Sequence, residues 1–114
     1  MSSTPNVPEI DVHEAARRAQ AGEALMVDVR EVDEWAAGRA AVARHLPMSA
    51  LRPADVPADR PVIAMCRSGN RSGKAAALLA AAGVDVANIA GGMLAWQSAG
   101  LPVVAEGNLP GIVK

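Results

Sequence analysis

Cys66 is the only cysteine among the 114 residues of the chain, and it lies between two stretches of different pattern. The apolar run 61–65 precedes it, and an alanine- and leucine-rich stretch with helical spacing follows the polar residues after it. This order predicts a strand, a polar loop and a helix, with the thiol at the carboxyl end of the strand. Ligands bind at that edge of α/β sheets. The position therefore favours a reactive sulfur over the alternative, a small buried apolar residue.

The residues that follow Cys66 strengthen this interpretation, because core packing requires none of them. They are Arg67, Ser68, Gly69, Asn70, Arg71 and Ser72. A helix N-terminus and nearby cations favour the thiolate, and the loop amides can surround the sulfur as an anion nest. Gly69 permits close approach of the backbone, Ser68 and Ser72 can donate hydroxyl hydrogen bonds, and Arg71 can bind an oxyanion with two parallel bonds. The loop predicts a site that attracts a small anion and stabilises negative charge on sulfur.

Composition restricts the other classes of function. The net charge of −1 provides no basic surface for nucleic acid, and only 2% of the residues are aromatic. No apolar run approaches the roughly 18–20 residues needed to cross a membrane, and the first six residues lack the apolar region of a secretory signal. One cysteine cannot form an internal disulfide. We expect a cytoplasmic protein with neither nucleic-acid nor membrane partners.

Strand and helix patterns alternate along the chain, which predicts a mostly parallel sheet covered on both faces. We expect a flexible N-terminus at 1–8, one domain at 9–104 and a C-terminal tail at 105–114. In the helix after the cysteine loop, helical spacing predicts a buried face of Ala75, Leu78, Leu79 and Ala82. The predicted strands are 7–10, 24–29, 42–46, 61–65 and 86–90, and the predicted helices are 12–20, 32–37, 70–82 and 93–99.

Several motifs occur in an order and spacing that resemble the single-domain rhodaneses over about residues 10–103. They are Val27-Asp28-Val29-Arg30-Glu31 with Glu34-Trp35 and Gly38, Leu46-Pro47, the loop 66–72, Gly91-Gly92-Met93-Leu94-Ala95-Trp96, and Gly100-Leu101-Pro102-Val103. One stretch departs from the family pattern, because 38–43 reads Gly-Arg-Ala-Ala-Val-Ala where rhodaneses commonly have Gly-His-Ile-Pro-Gly-Ala. This departure affects the expected turn and third strand more than the chemistry.

The resemblance implies a three-layer α/β/α domain with a five-stranded, mainly parallel sheet and a sulfurtransferase activity. Cys66 would attack the outer sulfur of thiosulfate or a persulfide and would hold it as a persulfide. It would then pass the sulfur to cyanide or to a thiol acceptor such as glutathione, a dithiol or a thioredoxin-like protein. Two transfers that share one covalent intermediate give ping-pong kinetics. The resemblance implies no metal and no organic cofactor.

Three residues outside the loop are candidates for a supporting role. The resemblance suggests that Asp28 and Arg30 orient loops around the site, and the alternative is an internal ion pair with Glu31 or Glu34. Trp96 is a candidate pocket wall because the Gly-Gly loop before it is expected near the active-site edge, and the alternative is a core position. Arg67 faces either substrate or solvent. The isolated residues His13 and His45 suggest no metal site, although a Cys–His dyad with His45 stays open.

The length of the cysteine loop separates sulfurtransferases from other classes of protein with similar loops. Four residues separate Cys66 from Arg71, whereas protein tyrosine phosphatases have five, so the shorter loop resembles that of sulfurtransferases. The run 69–75 is not a nucleotide P-loop, since three residues rather than four separate its glycines and Ala75 replaces the required hydroxyl. Two further hypotheses are a sulfur carrier loaded by a donor protein and a redox sensor that cycles through sulfenic acid. The intact loop with both arginines favours the enzyme.

Overall fold

The computed structural model describes residues 7–57 and 59–114, so residues 1–6 of the predicted flexible N-terminus lie outside the described part. The described residues form a sheet with helices on both faces. In chain order, the strands and helices are β1 (Glu9–Ile10), α1 (Val12–Gln20), β2 (Leu25–Asp28), α2 (Val32–Ala37), β3 (Ala43–His45), β4 (Val62–Met65), α3 (Asn70–Ala81), β5 (Val86–Ile89) and α4 (Gly92–Ser98). Short 3₁₀ turns occupy Met48–Ala50, Pro53–Asp55 and Glu106–Asn108.

The sheet has five strands in the order β1-β5-β4-β2-β3, and each pairing between neighbouring strands is parallel. Strand β4 lies at the centre, and all four of its residues are buried, as are those of β2 and β5. Near-continuous apolar runs are typical of strands that are covered on both faces. The expected α/β architecture is therefore confirmed, and the cysteine follows the central strand directly.

Two apolar clusters on opposite faces of the sheet make the domain three-layered. Helices α1 and α4 contribute to one cluster, which also contains Met26, Ile63 and Met65 from the sheet. Helix α3 contributes to the other, together with alternate sheet residues such as Val27 and Ala64. Because successive side chains of a strand point to opposite faces, Met65 packs toward α1 and α4, whereas Cys66 belongs to the cluster beneath α3.

Local signals set the beginnings of the helices. Asp11 caps α1, since its carboxylate accepts a hydrogen bond from the Glu14 amide at 2.9 Å. Helices α3 and α4 begin differently, because each follows a glycine in the left-handed conformation, Gly69 and Gly91. Glycine adopts that conformation without the steric cost of a Cβ atom. Both glycines lie at the sheet edge that carries Cys66.

The buried face of α3 differs from the predicted one. Ser72, Ala75, Ala76 and Leu79 are buried, whereas Leu78 is 47% exposed and Ala82 is exposed. The buried residues follow the spacing i, i+3, i+4 and i+7 from Ser72, so they form one continuous helical stripe. This stripe begins at Ser72, whose hydroxyl donates a hydrogen bond to the sulfur of Cys66.

The C-terminal segment is bound to the domain through backbone hydrogen bonds. Val104 forms antiparallel bridges with Arg39 and with Pro110, and the amide of Ile112 donates to the carbonyl of Ala37 at 2.9 Å. Gly38 lies so close to the backbone of Ile112 that a Cβ atom would collide with it. The tail 105–114 thus runs beside α2, near the sheet edge that carries the cysteine.

Candidate active site

Cys66 lies at the carboxyl end of β4, and its sulfur accepts hydrogen bonds from the loop that follows. The Gly69 amide donates to Sγ at 3.1 Å, and the Ser72 hydroxyl donates from the first turn of α3 at 3.3 Å. The left-handed φ of +107° at Gly69 directs the chain back toward the sulfur. The residue Cys66 is fully buried, while Arg67, Ser68 and Asn70 are exposed around it. The loop thus surrounds one side of a sulfur that is sheltered on the other by the sheet.

The thiol is tuned toward its ionised form. Burial raises the pKa of Cys66, but hydrogen bonds from the Ser72 hydroxyl and from the amides of Ser72, Gly69 and Ser68 lower it by a larger amount. The pKa of the thiol therefore lies below its ordinary value. These donors stabilise negative charge on sulfur, and the first turn of α3 contributes its dipole in the same direction. The arrangement therefore favours negative charge at the position of the sulfur.

Helix α4 supports the cysteine loop from behind through backbone contacts. The amide of Met93 donates to the carbonyl of Cys66 at 2.8 Å, and the amide of Leu94 donates to the carbonyl of Arg67 at 3.0 Å. These are first-turn amides, which have no partner within their own helix. A Cβ atom at Gly92 would collide with the Cys66 carbonyl oxygen and would lie 2.7 Å from that of Arg67. The Gly-Gly motif therefore allows α4 to contact the cysteine loop directly.

Asn88 is a supporting residue that sequence reasoning missed. It lies in the middle of β5 and is only 3% exposed, and its Nδ2 donates to the carbonyl of Gly69 at 3.0 Å. An added Cβ atom at Gly73 would lie 3.4 Å from the same Nδ2. Its signal in the sequence was a polar side chain inside an otherwise apolar strand, where burial is costly unless the side chain forms hydrogen bonds. Its Nδ2 has such a partner, whereas its buried Oδ1 has none among the described residues.

The two arginines of the loop have protein partners in the structure. Both terminal nitrogens of Arg71 donate to Glu34 of α2, with Nη1 2.7 Å from Oε1 and Nη2 2.7 Å from Oε2. The Nε of Arg67 donates to the carbonyl of Lys114 at 3.1 Å, and Nζ of Lys114 lies 2.7 Å from Oδ2 of Asp33. Binding of substrate anions by Arg67 and Arg71 stays a prediction. The partnership of Glu34 with Arg71 was not anticipated.

Asp28 and Arg30 form an ion pair with each other, not with Glu31 or Glu34. Both side chains are fully buried, with Arg30 Nη2 2.8 Å from Asp28 Oδ2. The same nitrogen donates to the carbonyl of Gly38 at 2.7 Å, and the Asp28 carboxylate also accepts the Arg30 amide. A buried pair of this kind fixes backbone position because each charge needs its partner. It holds the chain on both sides of α2, the helix that carries Glu34.

The remaining candidates have partners other than the sulfur. Trp96 is 2% exposed in the apolar cluster on the opposite face of the sheet from Cys66, and its indole nitrogen donates to the Pro102 carbonyl at 2.8 Å. His45 stacks on Trp35 with ring centroids 4.8 Å apart, and its Nε2 lies 2.6 Å from the Arg30 carbonyl oxygen. Trp96 thus occupies the core position that was its alternative.

The described residues contain no cluster of metal-binding side chains and no helix suited to crossing a membrane. Within 7–57 and 59–114, no group of three or more histidine, cysteine, aspartate or glutamate side chains could hold a metal ion. Over the same ranges, no helix has both the length and the apolar character needed to cross a membrane.

Fold and site together define an α/β domain with a buried, hydrogen-bonded cysteine directly after its central strand, and comparisons with known proteins agree. The chain belongs to the Rhodanese-like domain family, which it matches over residues 11–99. It is 42% identical over 103 residues to a protein named sulfurtransferase from Allochromatium vinosum, a match that covers 87% of this chain and 96% of that protein.

Two other proteins are similar to this chain, and the match covers different shares of their lengths. An uncharacterized protein of Synechocystis is 40% identical over 89 residues, which are 75% of this chain but only 50% of that protein. The crystal structure of a rhodanese-related protein from Thermoplasma volcanium superposes with a TM-score of 0.80 at 28% identity, covering 87% of this chain and 99% of that one. The family and the name of the Allochromatium relative support sulfur transfer in general.

Proposed function

We propose that this protein transfers sulfane sulfur through a persulfide on Cys66, taking it from thiosulfate or an organic persulfide and giving it to a thiol or to cyanide. The observation that carries the proposal is the pair of hydrogen bonds to Sγ, from the Gly69 amide at 3.1 Å and the Ser72 hydroxyl at 3.3 Å. These donors favour a thiolate before the reaction and an anionic terminal sulfur after it.

The first transfer balances without any redox partner. The Cys66 thiolate attacks the outer sulfur of thiosulfate and forms a new S–S bond. The original S–S bond breaks, and its electron pair leaves with sulfite. The products are the Cys66 persulfide anion and sulfite, so the total charge is unchanged. With an organic persulfide as donor, the leaving group is the corresponding thiolate.

The second transfer requires an acceptor outside this chain. Cys66 is the only cysteine, so an internal disulfide cannot discharge the persulfide. An acceptor nucleophile, either cyanide or a thiolate of glutathione, a dithiol or a thioredoxin-like protein, attacks the terminal sulfur, and the Cys66 thiolate is regenerated. A reducing cytoplasm would provide such thiols, and we place the protein there as part of the proposal.

Intact-mass measurement after incubation with thiosulfate or with an organic persulfide tests the proposal. We expect a gain of one sulfur atom, which cyanide or a dithiol then removes, and no gain in Cys66→Ser. A control variant such as Ser98→Ala, at the exposed end of α4, should behave like the wild type. If neither donor adds sulfur to the folded protein, the proposed enzyme is refuted.

The second candidate is a sulfur carrier that receives its sulfur from a donor protein. The features that favour it are the ion pair between Arg71 and Glu34 and the contact between the Arg67 Nε and the Lys114 carbonyl, since a small anion must compete with these partners. A wild type that gains no sulfur from thiosulfate or a small persulfide but gains it from a cysteine desulfurase would support the carrier. Rapid turnover with a small donor would contradict it.

A further inference from the structure

The ion pair between Arg71 and Glu34 changes the charge of the site. The loop contributes a cation at Arg71, but a carboxylate binds both of its terminal nitrogens at 2.7 Å. The side chain of Glu34 is 14% exposed and that of Arg71 is 39% exposed. A bidentate, partly buried pair of this kind has defined geometry, unlike most surface pairs. The cation expected to bind substrate is therefore compensated.

Glu34 is also held on its own helix. Its Oε1 accepts the amide of Glu31 at 3.1 Å, the contact typical of the third residue of a capping box. The Arg71 guanidinium lowers the pKa of Glu34 despite burial, and Glu34 in turn raises the pKa of Arg71. Both groups therefore stay charged around neutral pH, and the carboxylate does not need to move to meet the arginine.

A dianion that approaches the sulfur meets this carboxylate as well as the arginine. To bind Arg71 through the same two N–H groups, it must displace Glu34 and leave the carboxylate close by. A donor with one negative charge, or none, meets a smaller penalty because Coulomb energy scales with the ligand's charge. The amide of Gly69 and the hydroxyl of Ser72, which carry no net charge, serve either kind of donor.

We infer that Glu34 is a specificity-determining residue that disfavours dianionic sulfur donors such as thiosulfate and favours organic persulfides of lower charge, an inference that rests on the proposed sulfur transfer. In that reaction the Cys66 thiolate forms a bond to the outer sulfur of R–S–SH. The bond between the two donor sulfurs breaks, and its electron pair leaves with R–S⁻. The proton stays with the transferred sulfur until the persulfide ionises, so no oxidant or reductant is needed.

Two donors that differ by one charge test this inference. Thiosulfate and methanethiosulfonate both carry the outer sulfur on a sulfonyl group, but the first is a dianion and the second a monoanion. We expect Glu34→Gln to raise kcat/KM for thiosulfate about tenfold and that for methanethiosulfonate only about threefold, because a charge removed at close range acts in proportion to the donor's charge. Glutamine retains an oxygen that can accept the Glu31 amide.

Asp33→Asn is the matched control, since it removes the same charge from the neighbouring position of α2. Asp33 is 62% exposed and pairs with Lys114, so solvent and salt screen its charge. We expect its kcat/KM values to stay within about twofold of the wild type for both donors. A control that changes the donor ratio as much as Glu34→Gln would overturn the inference.

A double-mutant cycle separates a direct effect of Glu34 from a structural one. Arg71→Ala leaves Glu34 uncompensated, so thiosulfate should lose more activity in this variant than in the double variant Glu34→Gln/Arg71→Ala. Equal losses would overturn the inference, as would an unchanged donor ratio in Glu34→Gln. If the wild type forms no persulfide with either donor, the proposed function itself fails, which is a distinct outcome from persulfide formation with an unchanged ratio.

Discussion

Substitution of Gly92 by alanine tests whether helix α4 positions the cysteine loop. The new Cβ atom would press on the carbonyl oxygen of Cys66 and would lie 2.7 Å from that of Arg67. These are backbone atoms, so relief requires movement of the loop or of α4. That movement would weaken the two hydrogen bonds from the first turn of α4. We therefore expect both the stability of the fold and the environment of the thiol to change.

The magnitude follows from two contributions. Gly92 has a φ of +56°, and an alanine in the left-handed region costs about 1–2 kcal/mol. Overpacking against a backbone that must shift costs about 1–3 kcal/mol more. The free energy of unfolding should thus fall by about 2–5 kcal/mol. Gly100→Ala is the matched control, because Gly100 has a φ of +77° but nothing within 4 Å of its Cβ position. Its free energy of unfolding should therefore fall only by the cost of the left-handed conformation, about 1–2 kcal/mol.

The assay combines urea unfolding with the rate of alkylation of Cys66 by iodoacetamide as a function of pH. Gly92→Ala should lose more stability than Gly100→Ala and should show slower alkylation near neutral pH, because the displaced loop stabilises the thiolate less. Gly100→Ala should alkylate like the wild type. Equal stability losses in the two variants, together with an unchanged alkylation profile in Gly92→Ala, would refute the argument that α4 supports the loop.

Three other substitutions test individual contacts. Ser72→Ala removes a donor that lowers the pKa of Cys66, so the pKa should rise and alkylation at neutral pH should slow severalfold; an unchanged pH profile would contradict this role. Asp28→Asn leaves the buried charge of Arg30 uncompensated and should lower the free energy of unfolding, measured with urea, by about 3–5 kcal/mol. The double variant Asp28→Leu/Arg30→Met removes both charges and should lose less stability. A double variant that is equally unstable would argue against charge as the cause. Asn88→Ala removes the donor that lies 3.0 Å from the Gly69 carbonyl and should lower the free energy of unfolding by about 1–3 kcal/mol. A loss of stability below this range in the same assay would show that the contact is dispensable.

Much of the fold follows from interactions between residues close in sequence. The predicted helix 12–20 has the observed bounds of α1, because both its cap and its periodicity involve residues no more than about four positions apart. The strand before the cysteine was predicted from a continuous apolar run and was observed one residue shorter, at Val62–Met65. The expectation of a rhodanese-like α/β domain was confirmed by the family match and by the fold.

The buried face of α3 shows where local pattern stops being informative. Alanine occurs at many positions of this helix, and small side chains are nearly equivalent in a hydrophobic pattern. Leu78 looked like a core residue but is 47% exposed. The observed stripe instead includes Ser72, whose hydroxyl donates to the sulfur of Cys66, a contact that apolar periodicity does not encode.

The sequence by itself determined that a lone cysteine follows a strand and precedes a helix, and that its loop contains the donors that favour a thiolate. Tertiary structure alone decided the charge of the site, because Arg71 meets Glu34, a residue 37 positions away. It also decided that Asn88 and Gly92 contact the loop. Caps and apolar periodicity act within a few residues, whereas ion pairs and close backbone contacts depend on which distant segments meet at the carboxyl edge of the sheet.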